Sequence, residues 1–139
     1  MKEVNRYTSN EFHDWQRKNL PSRFVLQDID TWALAWADSQ KSYEPIAIVE
    51  LKRSHYEPAA WKPFEADKPN YLALFKLSQR AGLPLWIVYF KKGERIVNES
   101  LFHLFDVKRV RVEQNSNWIS YEDKIVKAID FIRMFPKLF

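Results

Sequence analysis

Apolar and polar positions change period several times along the chain, and each change marks an element. Thr8, Ser9 and Asn10 offer cap oxygens ahead of Phe12 and Trp15, which predicts a short helix over 9–19 that Pro21 ends. From Phe24 to Trp36 the string FVLQDIDTWALAW is rich in β-formers. PIAIVELK, Pro45 to Lys52, is a second apolar run, and the polar residues between the two predict a hairpin connection. In DKPNYLALFKLSQRAG, Pro69 stands near a helix start, Tyr71, Leu74, Phe75 and Leu77 supply an apolar side, and Gly82 is the stop. LPLWIVYF follows at once, with the length and composition of a strand buried on both faces. Helix followed by buried strand predicts a crossover. SLFHLFDVKRVRVEQ adds one or two strands. Ser120 with Asp123 then resembles a capping signal, and Ile125, Ile129 and Ile132 keep a helical spacing until Pro136. The expected order is α, β, β, α, β, β, α.

At 139 residues, 46% of them hydrophobic, the chain predicts one α/β domain spanning 1–139 with its own core. Cysteine is missing from the sequence, which excludes disulfides, thiolate metal sites and cysteine nucleophiles. Gly82 and Gly93 are its two glycines, too few for a phosphate-cradling loop of the nucleotide-binding kinds. His13, His55 and His103 have no ligand-pair spacing, so a histidine zinc site is not expected. Neither a signal peptide nor a membrane-spanning apolar run is visible, so a cytoplasmic protein without a membrane partner is the expectation. The net charge of +4 favours approach to a polyanion.

The candidate chemistry sits on AIVELKRS. Strand alternation puts Ile48, Glu50 and Lys52 on one face and the apolar Ala47, Val49 and Leu51 on the other. Glu50 and Lys52 therefore project together, roughly 6 to 7 Å apart along the strand. Upstream, Asp28 and Asp30 share a face of the preceding strand, with Ile29 turned away. Carboxylates converging in this way repel one another unless a cation or Lys52 compensates them, and such an oxygen-rich site suits magnesium or manganese.

The acidic strand followed by E-x-K resembles the PD-(D/E)XK nuclease superfamily, over roughly the first ninety residues. The resemblance implies a restriction-endonuclease-like core of αβββαβ type, a central mixed sheet flanked by helices, here extended by a C-terminal strand and helix. It implies that Asp30 and Glu50, with the Leu51 carbonyl, hold the metal, Asp28 competing with Asp30 for its role. Lys52 then positions or activates water. Glu11 stands where family members add a first-helix glutamate, although it also lies three residues after Thr8, as in a capping box. Lys68, Asn70 and Tyr71 stand at the end of the next helix where such proteins contact phosphates. The proline that often precedes the acidic residue is replaced in the sequence DID.

The implied function is magnesium-dependent hydrolysis of phosphodiester bonds in DNA, directed by DNA structure or ends, by a monomer or a homodimer. Arg53 and His55, just beyond the E-x-K, are candidates for nucleic-acid contact. Of the six tryptophans, Trp15, Trp32, Trp36 and Trp86 are expected in the core, and Trp61, in the loop after the strand, is the candidate for stacking on a base. The rival reading is a non-catalytic nucleic-acid or protein-binding module on the same fold. In an unrelated α/β protein, Glu50 and Lys52 would instead stand apart from Asp28 and Asp30 as surface partners.

Overall fold

The hairpin and the crossover expected from the apolar runs both form. The computed structural model describes residues 2–23, 29–113 and 117–138. Helix α1 (Lys2–Asn19) comes first, then β1 (Thr31–Ala37) and β2 (Ser42–Ser54), which pair antiparallel with a bulge between Ala33 and Leu34. Two short 3-10 turns, Pro58–Ala60 and Glu65–Asp67, lead into α2 (Lys68–Ala81). Gly82 ends α2 in the left-handed region at φ 69°, where a residue without Cβ carries no steric penalty. Strand β3 (Leu85–Lys91) returns parallel to β2; β4 (Leu101–Val110) and β5 (Ile119–Lys127) add antiparallel, and α3 (Ala128–Leu138) closes the chain.

The strands form one five-stranded sheet in the order β1-β2-β3-β4-β5. β3 lies at its centre, and this explains the unbroken apolar run: Leu85, Ile87 and Tyr89 face one side, Trp86 and Val88 the other. On the first side they pack with Ile48, Phe105 and, from α2, Tyr71 and Leu74. On the second, Val49 and Leu104 meet Phe131, Met134 and Phe135 of α3. The protein is therefore an α/β fold with a mixed sheet flanked by helices. No helix among the described residues is long and apolar enough to cross a membrane.

Three local expectations are corrected. Residues 119–127 are an edge strand rather than the start of the last helix, because they pair with β4 along its whole length. Tertiary pairing overrides the capping signal: the Ser120 hydroxyl accepts from the Arg111 guanidinium, and Asp123 accepts from buried His103. The helix begins only at Ala128, and Pro136 lies inside it, one missing N–H in a final turn. At the other end α1 already runs from Lys2, so Thr8 lies inside the helix and not at the N-cap position that a capping box needs.

The third correction inverts the expected roles of the tryptophans. Trp61 is 3% exposed, stacked on Tyr89 at 4.5 Å and edge-on to Phe105, so its ring faces are taken up. Trp86 is buried as expected, but Trp15, Trp32 and Trp36 are more than half exposed. For Trp32 and Trp36 the cause is topological, since β1 is an edge strand with a neighbour on one side only. Trp61 is drawn in by the Pro58–Ala60 turn, itself anchored where Pro58 O lies 2.6 Å from His103 Nδ1.

Candidate active site

Strand β2 carries Ile48, Glu50 and Lys52 toward α2, as alternation requires. The β1 pairing ends at Thr31 opposite Val49, so Asp30 lies just beyond the paired segment, level with Glu50. Its Oδ2 accepts from the Leu51 N–H at 3.3 Å. The backbone of β2 alternates too. Ile48 N–H and the Ser54 carbonyl engage the β3 side, through Pro84 O and Lys92 N–H. Leu51 therefore turns its backbone groups to the β1 side, where its carbonyl has no strand partner among the described residues. Asp30, Glu50 and the Leu51 carbonyl thus converge at one end of the β1–β2 pair.

Glu50 is 6% exposed. Burial in the α2 interface pushes its carboxyl up from 4.5 to about 7, helped by a hydrogen bond with Asp30 and by the Asp30 charge. Two carboxyl groups hydrogen-bond to each other only if one keeps its proton. Asn70, in the first turn of α2, donates to Glu50 Oε2, and it and the Lys52 charge act the other way. A positive charge brought beside the pair would favour release of the Glu50 proton.

Lys52 stands over the Tyr71 ring, its Nζ 5.4 Å from the centroid, and 3.9 Å from Asp67 Oδ2. Tyr71 is fully buried, and its hydroxyl has no hydrogen-bond partner among the described residues. Burial holds that phenol well above its usual range, with Asp67, Glu50 and Asp30 adding to the effect. Asp67 belongs to this constellation but was not singled out in the sequence. The available signal was its place at the start of α2, the end that a β2-α2-β3 crossover brings back over β2.

The remaining candidates separate. Asn70 reaches the pair, while Tyr71 is a buried wall beneath Lys52 rather than a surface contact. Lys68 is tied to the carbonyls of Val112 and Glu113, at 2.6 and 2.9 Å, instead of reaching outward. Arg53 and His55 are exposed, His55 stacked on Tyr56. Glu11 is exposed on α1, and no hydrogen bond or ion pair joins it to Asp30, Glu50 or Lys52 among the described residues. Asp28 lies outside the described residues.

No group of three or more His, Asp or Glu side chains converges to hold a metal among the described residues. The donors present are two carboxylates and a carbonyl. They fit magnesium, which binds through one or two carboxylates and fills its octahedron with water and phosphate oxygens. No family model, no curated protein and no solved structure matches this chain.

Proposed function

We propose that the protein is a metal-dependent nuclease that hydrolyses phosphodiester bonds in DNA, with Asp30, Glu50, Leu51 and Lys52 as its working site. The observation that carries this reading is the buried Glu50 carboxyl, pushed to about 7 beside Asp30. Such a pair costs free energy when both groups ionise, and a divalent cation removes that cost. The neighbouring lysine and the net charge of +4 suit a phosphodiester substrate. The E-x-K sequence and the acidic residue before β1 make this the PD-(D/E)XK resemblance in its restriction-endonuclease-like form.

Asp30, Glu50 and the Leu51 carbonyl would hold the metal, magnesium or manganese. A metal held there would supply Lewis acidity toward a water and positive charge toward the phosphate. The residues do the rest. Beside a cation Glu50 would be held ionised, its proton passing to solvent, as an acceptor that Asn70 orients. Lys52, propped over the Tyr71 ring and near Asp67, donates to a non-bridging phosphate oxygen as charge develops there. Burial of Glu50 puts its own charge in a low dielectric, where attraction to a cation is stronger than in bulk water.

Purified protein is expected to cleave at least one of duplex, single-stranded, flapped or four-way DNA with magnesium. Glu50→Ala and Lys52→Ala are each expected to lower the rate by at least about a hundredfold, the scale of one electrostatic stabiliser, with circular dichroism unchanged. Tight binding to DNA with no cleavage of any form would reassign the chain as a non-catalytic binding module.

A further inference from the structure

Beside the acidic pair the surface opens into an apolar groove of about 430 Å3, within the range of small-molecule sites. Ile29, Trp32 and Ile48 form its sheet side, and Leu77, Ala81 and Leu83 line it from the end of α2 and just after. Trp32 is 58% exposed, and among the described residues its indole is the one polar side-chain group in the lining. Ile29 and Trp32 bracket Asp30 in sequence. Ile48 precedes Glu50 by two residues on the same face, about 6 to 7 Å along the strand.

The helix side of the groove is basic at its rim. Arg80 lies three residues after Leu77, about 60° around the helix at 3.6 residues per turn, on the flank away from buried Leu74 and Ser78. Lys76, about 100° from Leu77 by the same spacing, falls on the back of the helix, and both side chains are exposed. Neither forms an ion pair among the described residues. An apolar slot with an aromatic wall therefore lies between the acidic pair and the available Arg80 cation.

We propose that this groove stacks one unpaired nucleobase of the DNA strand whose neighbouring phosphate lies at Asp30, Glu50 and Lys52, with Arg80 on the adjoining phosphate. The inference rests on the nuclease reading and adds the form of the substrate. A lining whose described side chains offer no acceptor engages chiefly the π face of a base, and such stacking tolerates any sequence. A base inside a duplex has both faces covered by its neighbours. The groove consequently selects a single strand or an extruded base over an intact helix.

The test uses the full chain without metal, in chelator, so that binding is read apart from cleavage. Titrating a short oligothymidylate is expected to quench tryptophan fluorescence, and a blunt duplex of equal charge is expected to bind more weakly. Trp32→Ala should weaken oligothymidylate binding about tenfold and remove most of the quench, the usual effect of losing one stacked base. Trp36→Ala, equally exposed on the same strand but outside the groove, should bind as the parent does. Unchanged affinity in Trp32→Ala, or equal affinity for duplex, overturns the proposal.

Failure of the two readings is distinguishable. Trp32-dependent binding without cleavage by the parent chain removes the nuclease and keeps the groove. Cleavage of a single strand with the same KM in Trp32→Ala and the parent removes the groove and keeps the nuclease.

Discussion

Replacing Glu50 by glutamine tests the electrostatics of the site without relying on any activity. The glutamine side chain keeps the shape, can accept from Asn70 through its carbonyl oxygen and can donate to Asp30 through its amide, but it cannot ionise. In the parent chain the folded-state carboxyl titrates near 7 instead of 4.5 because of burial and Asp30. Between those two values the folded state holds a proton that the unfolded chain has released, so stability falls as pH rises through the window. The accumulated loss, at about 1.4 kcal/mol per pH unit, is about 3 kcal/mol by pH 8. In a domain of this size that is about 10 °C in Tm. Thermal melts in chelator should therefore show parent and Glu50→Gln alike at pH 4, with the variant about 10 °C higher at pH 8. Adding magnesium at pH 8 should raise the parent by a further 2 to 3 kcal/mol, roughly what a ligand at a hundred times its Kd supplies, and leave Glu50→Gln nearly unmoved. A Tm difference that stays flat from pH 4 to pH 8 would refute the buried-acid account. Equal magnesium stabilisation of both proteins would place the cation elsewhere.

Two further changes probe the surroundings. Asn70→Ala removes a donor that favours the ionised form of Glu50, so its carboxyl should titrate higher and the fall in stability, which still begins at the unfolded value, should extend to higher pH and grow; cleavage should be impaired at pH 7 and recover as pH rises. A pH-rate profile shifted to lower pH would contradict this. Trp61→Ala should cost about 3 to 5 kcal/mol in urea unfolding, the usual range for truncating a buried aromatic, since Trp61 stacks on Tyr89 inside the core. A cost below about 1 kcal/mol would show that the loop is not held there.

Much of the architecture was legible in local pattern. The unbroken run at 83–90 identified a strand covered on both sides, and the Pro69 and Gly82 signals placed α2 within a residue or two. Strand alternation put Glu50 and Lys52 on one face, and the polar break before Ser42 identified the hairpin. Each of these depends on interactions a few residues apart, which a linear pattern records. Spacing alone did not establish that Asp30 meets Glu50; the β1–β2 register did, by ending at Thr31 opposite Val49.

What the sequence determined by itself was the set of apolar segments, their periods and a strand bearing an acid and a base on one face. What only the tertiary structure decided was which segments became edges and which aromatics became core. Residues 119–127 carry helical spacing, yet β4 offered an unpaired edge and a row of backbone partners, which outweighs a weak local preference. Trp32 and Trp61 exchanged their expected roles for a related reason. A side chain on an edge strand lacks one neighbour, while a loop residue folded back over the sheet can gain a full shell of contacts. Burial is a property of neighbours far apart in the chain. So is the acidity of Glu50, which its own position could not reveal until Asp30, Asn70 and Lys52 stood around it.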